Sequence, residues 1–118
     1  MLDHVKLNVS DFERSRSFYE QALEPLGYRV ILEPAPGVAG LGAGFPFFWI
    51  AAAEQATVCH VAVRAETRDR VDAFHAAALA AGGRDNGAPG ERPQYHPGYY
   101  GAFVYDPDGN NVEAVCHR

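Results

Sequence analysis

Only two cysteines, Cys59 and Cys116, occur in the 118 residues. They are too few for a disulfide framework and wrongly spaced for a zinc cluster, so two reduced, mostly buried thiols are expected. Lysine is scarcer still: Lys6 is the sole one, Lys and Arg form no cluster, and the net charge is -5. That balance argues against nucleic acid or an anionic membrane surface as a partner. No apolar run approaches the roughly 20 residues of a membrane span, and the opening residues lack the charged and apolar regions of a signal peptide. The expectation is a cytoplasmic protein whose partner is a small molecule. What the chain has in quantity is apolar side chains, 47% of the total, and 12 glycines, which suits one compact domain around one core.

The chain also contains itself twice. Laid without a gap on residues 60–83, residues 4–27 bring His4 onto His60, Val5 onto Val61, Arg14 onto Arg70, Phe18 onto Phe74, Ala22 onto Ala78, Leu23 onto Leu79 and Gly27 onto Gly83. Repetition in one register points to two copies of one supersecondary unit, each opening with a histidine on its first strand. The division expected is a single domain, 1–118, with module one at 1–54 and module two at 57–118.

Polar and apolar residues alternate strictly over residues 4–9, predicting a strand with one packed face. The run Ser10-Asp11-Phe12-Glu13 then supplies a capping-box start, and Phe12, Phe18, Ala22 and Leu23 give a helical stripe of about 12 residues that stops near Gly27. The second copy repeats this order. Residues 60–65 read as a strand, Thr67 as N-cap, Val71, Phe74, Ala78 and Leu79 as the buried stripe, and Gly82-Gly83 as the stop. Strands are predicted at 28–33 and 45–52, and at 99–105 and 110–116 around the hairpin turn Asp106-Pro107-Asp108-Gly109. Residues 34–44 read as a glycine-rich turn.

Period two decides which side chains share a face. If Val5, Leu7 and Val9 face a helix, His4 and Lys6 face away, and the same parity sends His60, Ala62 and Arg64 away while Val61 and Val63 pack. On the last strand Val112, Ala114 and Cys116 form the apolar set, leaving Glu113 on the other face. Both cysteines should point away from the histidines. Two imidazoles and a carboxylate on helix-free faces have the composition of a 2-His-1-carboxylate metal site with open positions.

The opening LDHVKLNVSDFERSRSFY, the second HVAV and the terminal YDPDGNNVEAV resemble the vicinal oxygen chelate superfamily, which includes glyoxalase I and the fosfomycin-resistance, bleomycin-resistance and extradiol dioxygenase proteins. The resemblance covers essentially the whole chain. It implies an α+β fold of tandem βαβββ modules, a curved, partly closed eight-stranded sheet with helices outside, and a homodimer. It also implies His4, His60 and Glu113 as ligands of a divalent metal such as Fe, Mn, Ni or Zn. Glyoxalase I enzymes carry a fourth, carboxylate ligand near the end of module one; here that stretch is Phe47-Phe48-Trp49-Ile50, with Trp49 aligned on Glu113. Lactoylglutathione lyase activity would therefore lack its proton acceptor.

The loop Arg92-Pro93-Gln94-Tyr95-His96-Pro97-Gly98-Tyr99-Tyr100 is the other unusual stretch. His96 and Tyr100 are its candidate acid or base, and Tyr95 and Tyr99 its stacking surface, beside Lys6, Phe47, Trp49 and Arg64 as candidate pocket residues. Two functions follow. One is a metal-dependent lyase, transferase or dioxygenase that chelates two oxygens of a small substrate. The other is a metal-free, drug-sequestering protein that holds an aromatic or cationic ligand against the same aromatic side chains.

Overall fold

Two copies of one chain path follow each other in the computed structural model, which describes residues 1–118 throughout. The first comprises β1 (Val5–Val9), α1 (Phe12–Leu23), a 3-10 turn (Glu24–Leu26), β2 (Arg29–Ala35), β3 (Val38–Ala43) and β4 (Phe45–Ala52). The second comprises β5 (His60–Arg64), α2 (Arg68–Ala80), β6 (Arg84–Glu91), β7 (Tyr100–Tyr105) and β8 (Asn111–Cys116). The strands form two open four-stranded sheets, β1-β4-β3-β2 and β5-β8-β7-β6. In each, the first strand of the module pairs in parallel with the last, and every other pair is antiparallel. The architecture is α+β with tandem βαβββ modules.

The sequence accounts for both helices. Asp11 caps α1, its carboxylate accepting from the Arg14 amide at 3.2 Å; Ser10, the expected partner in a capping box, turns instead to Asp108 in the second module. Pro25 lies in the 3-10 turn, which ends at Gly27 with φ at +90°, a left-handed conformation that glycine adopts without strain. Thr67 caps α2 as expected.

Two of the eight strands that the resemblance implies were not located by the residue pattern. Residues 34–44, expected as a turn, hold β3, and β6 runs through Arg-Asp-Asn-Gly-Ala-Pro-Gly-Glu, a composition low in strand propensity. β6 survives as an edge strand, where a proline and two register shifts are tolerated because only one side pairs, with β7.

A single core of 21 buried residues spans both modules, with Phe18, Tyr19, Ala22 and Leu23 from α1 and Val71, Phe74 and Ala78 from α2. Leu79, expected in the buried stripe, is exposed at its margin. Each helix covers its own sheet, and the two helices also pack against each other. A polar latch joins the modules. The buried Asp106 carboxylate accepts from the Tyr19 hydroxyl, from the amides of Asp108 and Asn110 at 2.9 and 2.8 Å, and from the Asn110 side chain at 2.8 Å. Asn110 in turn accepts from the Cys59 amide at 2.7 Å. Burial, then the Asp106 charge, holds the Tyr19 phenol well above its ordinary range, so it remains a donor. The Asp106-Pro107-Asp108-Gly109 motif thus makes the β7–β8 turn and also fastens it to α1. No helix is long and apolar enough to cross a membrane.

Candidate functional site

The parallel pairing of β5 with β8 sets the polar face of the second module. His60 lies opposite Asn111 and Ala62 opposite Glu113. Val112, Ala114 and Cys116 pack into the core, so Glu113 projects to the helix-free face, yet it is only 2% exposed. Its carboxylate is held at both oxygens: His60 Nε2 lies 2.9 Å from Oε1, and the Tyr99 hydroxyl donates to Oε2. Gly101 supplies the space, since a Cβ there would fall 3.3 Å from Glu113 Oε2. Phe103 forms the floor, its ring centroid 6.2 Å from that of His60 and covered by the Arg92 guanidinium at 5.4 Å. Desolvation first, then the bond to Glu113, pushes the Tyr99 phenol above its ordinary range and keeps it protonated. His60, 52% exposed, opens this arrangement to solvent.

The first module carries the same geometry without the acid. Lys6 lies opposite Trp49 as Ala62 lies opposite Glu113, so the indole occupies the carboxylate's position. Trp49 lies over Gly40, where a Cβ would fall 2.9 Å from the indole and from Pro46. Gly40→Ala is therefore expected to cost about 1–3 kcal/mol by overpacking and to shift the emission of Trp49, the single tryptophan; an unchanged spectrum and melting point would refute this seating. Phe47 packs edge-on against Tyr28 at 4.9 Å between centroids.

The expected triad does not assemble within one chain. His4 is 54% exposed, with Nδ1 2.7 Å from Asp3 Oδ1, and no three His, Cys, Asp or Glu side chains converge as a metal cage. The reason is topological: His4 directly precedes β1 of one sheet and His60 opens β5 of the other, and only the second sheet has a carboxylate on the strand beside its histidine. One chain thus fits a metal in part, offering His60 and Glu113 side by side with His4 on the other sheet. Between the modules lies an apolar cavity of about 350 Å³, lined by His4, Tyr28, Phe45, Phe47, Ala62 and Arg64 among others. Lys6 is exposed and lies outside it.

The 92–99 loop touches the Glu113 carboxylate through Tyr99 and covers the Phe103 floor with Arg92. Tyr95 packs on Tyr99 at 4.9 Å between centroids and His96 at 5.2 Å, so both lie one ring away from Glu113. Tyr100 faces the other way, contrary to expectation. It shares the parity of the buried Ala102 and Val104, so its hydroxyl donates to Asp72 on α2 at 2.6 Å and its ring lies beneath Arg68. Residues not anticipated are Phe103, Arg92 and His117. His117 was accessible to period two, since 113, 115 and 117 alternate onto one face. Cys116 is buried in the core and Cys59 half-buried, both as free thiols.

The sequence profile of the Glyoxalase/Bleomycin resistance protein/Dioxygenase superfamily matches residues 1–114. Among solved structures, a glyoxalase/bleomycin resistance protein from Albidiferax ferrireducens T118 is 30% identical, with a TM-score of 0.87 and coverage of 100% of this chain and 99% of that one. An enzyme described as of the glyoxalase/bleomycin resistance protein/dioxygenase family, from Burkholderia phytofirmans PsJN, shares 23% identity and 98% of each chain at a TM-score of 0.77. TioX from Micromonospora sp. ML1 shares 21% identity, 100% of this chain and 99% of its own, at 0.74; likeness at this identity concerns the fold. No curated relative matches significantly.

Proposed function

Because the chain belongs to the Glyoxalase/Bleomycin resistance protein/Dioxygenase superfamily, we propose that it is a cytoplasmic small-molecule enzyme of the vicinal oxygen chelate type. It works as a homodimer in which His60 and Glu113 of one chain and His4 of a second copy hold one divalent ion. The carrying observation is Glu113, 2% exposed on the helix-free face with His60 at 2.9 Å. Burying a carboxylate costs several kcal/mol unless its partners repay the desolvation, and the first module fills the same position with Trp49. A charge kept where an indole packs equally well has a use beyond stability.

Exposed His4, on the other sheet, is free to meet that pair across a subunit interface, which is why the reading includes a dimer. Such an ion, of the Fe, Mn, Ni or Zn type, supplies Lewis acidity toward two vicinal oxygens of a substrate. The chain's own residues do the rest. Tyr99 orients Glu113, Phe47 and Trp49 form an aromatic wall, and Lys6 and Arg64 offer positive charge to an anionic group. Lactoylglutathione lyase is not the activity proposed, since no acid stands at Trp49 to accept the substrate proton.

A second reading rests on one observation: both Glu113 oxygens already have partners, His60 and Tyr99, which suits a metal-free binder of aromatic ligands. The experiment that separates them offers Fe(II), Mn(II), Ni(II) and Zn(II) anaerobically to untagged protein, followed by gel filtration with light scattering and elemental analysis. The enzyme reading expects a dimer retaining about one ion per chain, lost in His60→Ala. A monomer, or a dimer without tightly held metal, would leave the binder.

A further inference from the structure

Where the 92–99 loop meets the end of the chain, two exposed imidazoles face each other. His96 Nε2 and His117 Nδ1 are 3.0 Å apart, with ring centroids 5.1 Å apart and planes inclined by 20°. His96 Nδ1 lies 2.8 Å from the Pro97 carbonyl oxygen. That oxygen can only accept, so Nδ1 carries the proton and the neutral ring turns its Nε2 lone pair toward His117. That lone pair accepts from His117 Nδ1–H, a proton that an incoming ion displaces to the far nitrogen of His117. An imidazole tied at one nitrogen to a backbone carbonyl, with its other lone pair so directed, has the form that metal-ligating histidines take.

The spacing fits the same reading. Nitrogens about 2.0–2.1 Å from a zinc ion stand roughly 2.9 Å apart at a right angle and roughly 3.4 Å apart at the tetrahedral angle; the observed separation falls between. We propose that His96 and His117 form a two-histidine site for a divalent transition ion of the imidazole-preferring class, Zn²⁺, Ni²⁺ or Cu²⁺. The site does not depend on the His4, His60 and Glu113 reading.

Both ligands are held before any ion arrives. The Tyr99 ring packs edge-on against His96 and against His117, at 5.2 and 5.4 Å. Arg68 donates to the Arg118 carbonyl at 2.7 Å, anchoring the tail. Gly98, at φ +85°, lets the loop run close to that tail, with a Cβ position 3.5 Å from the His117 carbonyl oxygen. No third His, Cys, Asp or Glu joins them, so water fills the remaining positions and the affinity is that of a two-donor chelate. Arg64 and Arg118 share the adjacent recess with Glu66, which disfavours hard cations held by charge alone and leaves ions held by nitrogen donation. A bound ion staples the tail to the loop that carries Tyr99, stiffening the wall beside Glu113.

The test is calorimetric titration of Zn²⁺, with Mg²⁺ as control, into untagged full-length chain carrying His60→Ala and Glu113→Ala. One Zn²⁺ per chain is expected, with no Mg²⁺ binding. Adding His96→Ala or His117→Ala should weaken zinc by at least about tenfold, since even the loss of an outer-shell partner costs that much. No zinc uptake, or uptake indifferent to both histidine changes, would overturn the site. If the background variant loses its native circular dichroism, wild-type chain serves instead. There His117→Ala should remove a weak zinc equivalent and spare the one lost in Glu113→Ala; loss only with Glu113→Ala would defeat the pair and leave the His60 and Glu113 reading standing.

Discussion

Asp106→Ala is expected to lower stability by about 3–5 kcal/mol, the range of changes that strand several buried polar groups. Four donors lose their acceptor at once: the Tyr19 hydroxyl, the amides of Asp108 and Asn110, and the Asn110 side chain. Tyr19 and Asn110 are fully buried, so water does not replace the carboxylate without opening the junction of the modules. For a chain of this length the melting temperature should fall by roughly 15 °C, read by calorimetry. Asp106→Asn keeps one oxygen for the two backbone amides and should cost about half as much. Tyr19→Phe removes one bond of the four and should cost about 1–2 kcal/mol. A loss below about 1 kcal/mol in Asp106→Ala would mean that the shared apolar core alone joins the modules.

Glu113→Ala should act in the opposite manner, leaving the fold and removing the function. Here the deleted group is itself the buried charge, and its partner His60 is half exposed, so no uncompensated ion stays behind. The Tyr99 hydroxyl and His60 Nε2 lose their partner, but water reaches the half-exposed His60, and stability should change by about 1 kcal/mol. Metal affinity, under the enzyme reading, should drop by at least about a hundredfold, because a direct ligand disappears rather than a supporting contact. Chemical denaturation and metal competition on one preparation separate the two quantities. Glu113→Gln, which keeps shape and the bond from Tyr99, should fall between them. Unchanged metal affinity in a folded Glu113→Ala protein would sink the assignment of Glu113 as a ligand.

How far such side chains could be read from the sequence depended on local periodicity. The superposition of residues 4–27 on 60–83 announced two modules because a strand and a helix repeat at fixed spacing. Strict alternation placed Glu113 opposite the helix face, and the alignment of Trp49 with Glu113 corresponds to the registers Lys6 with Trp49 and Ala62 with Glu113. Alternation failed where irregular chain precedes a strand. Proline and glycine before β7 hide its phase, and Tyr100 faces α2 while Tyr99 meets the carboxylate. β6 was missed because its pairing, rather than its residues, makes it a strand. The separation of His4 from His60 and Glu113 was illegible for a different reason: period two fixes the face of a sheet, whereas the position of one sheet relative to another is set by the helix-to-helix packing of the shared core.

That shared core has a consequence for the covalent chain itself. The segment between β4 and β5 runs back along β1, with the Thr57 amide bonded to Asn8 O at 2.8 Å and the Thr57 hydroxyl accepting from the Asn8 amide at 2.9 Å. Its peptide continuity adds little to what the interlocked helices and the Tyr19–Asp106 latch already secure. The two modules are therefore expected to act as complementary halves of a split protein: produced as separate polypeptides, each exposes half of the common core, and mixing them should restore one cooperative melting transition.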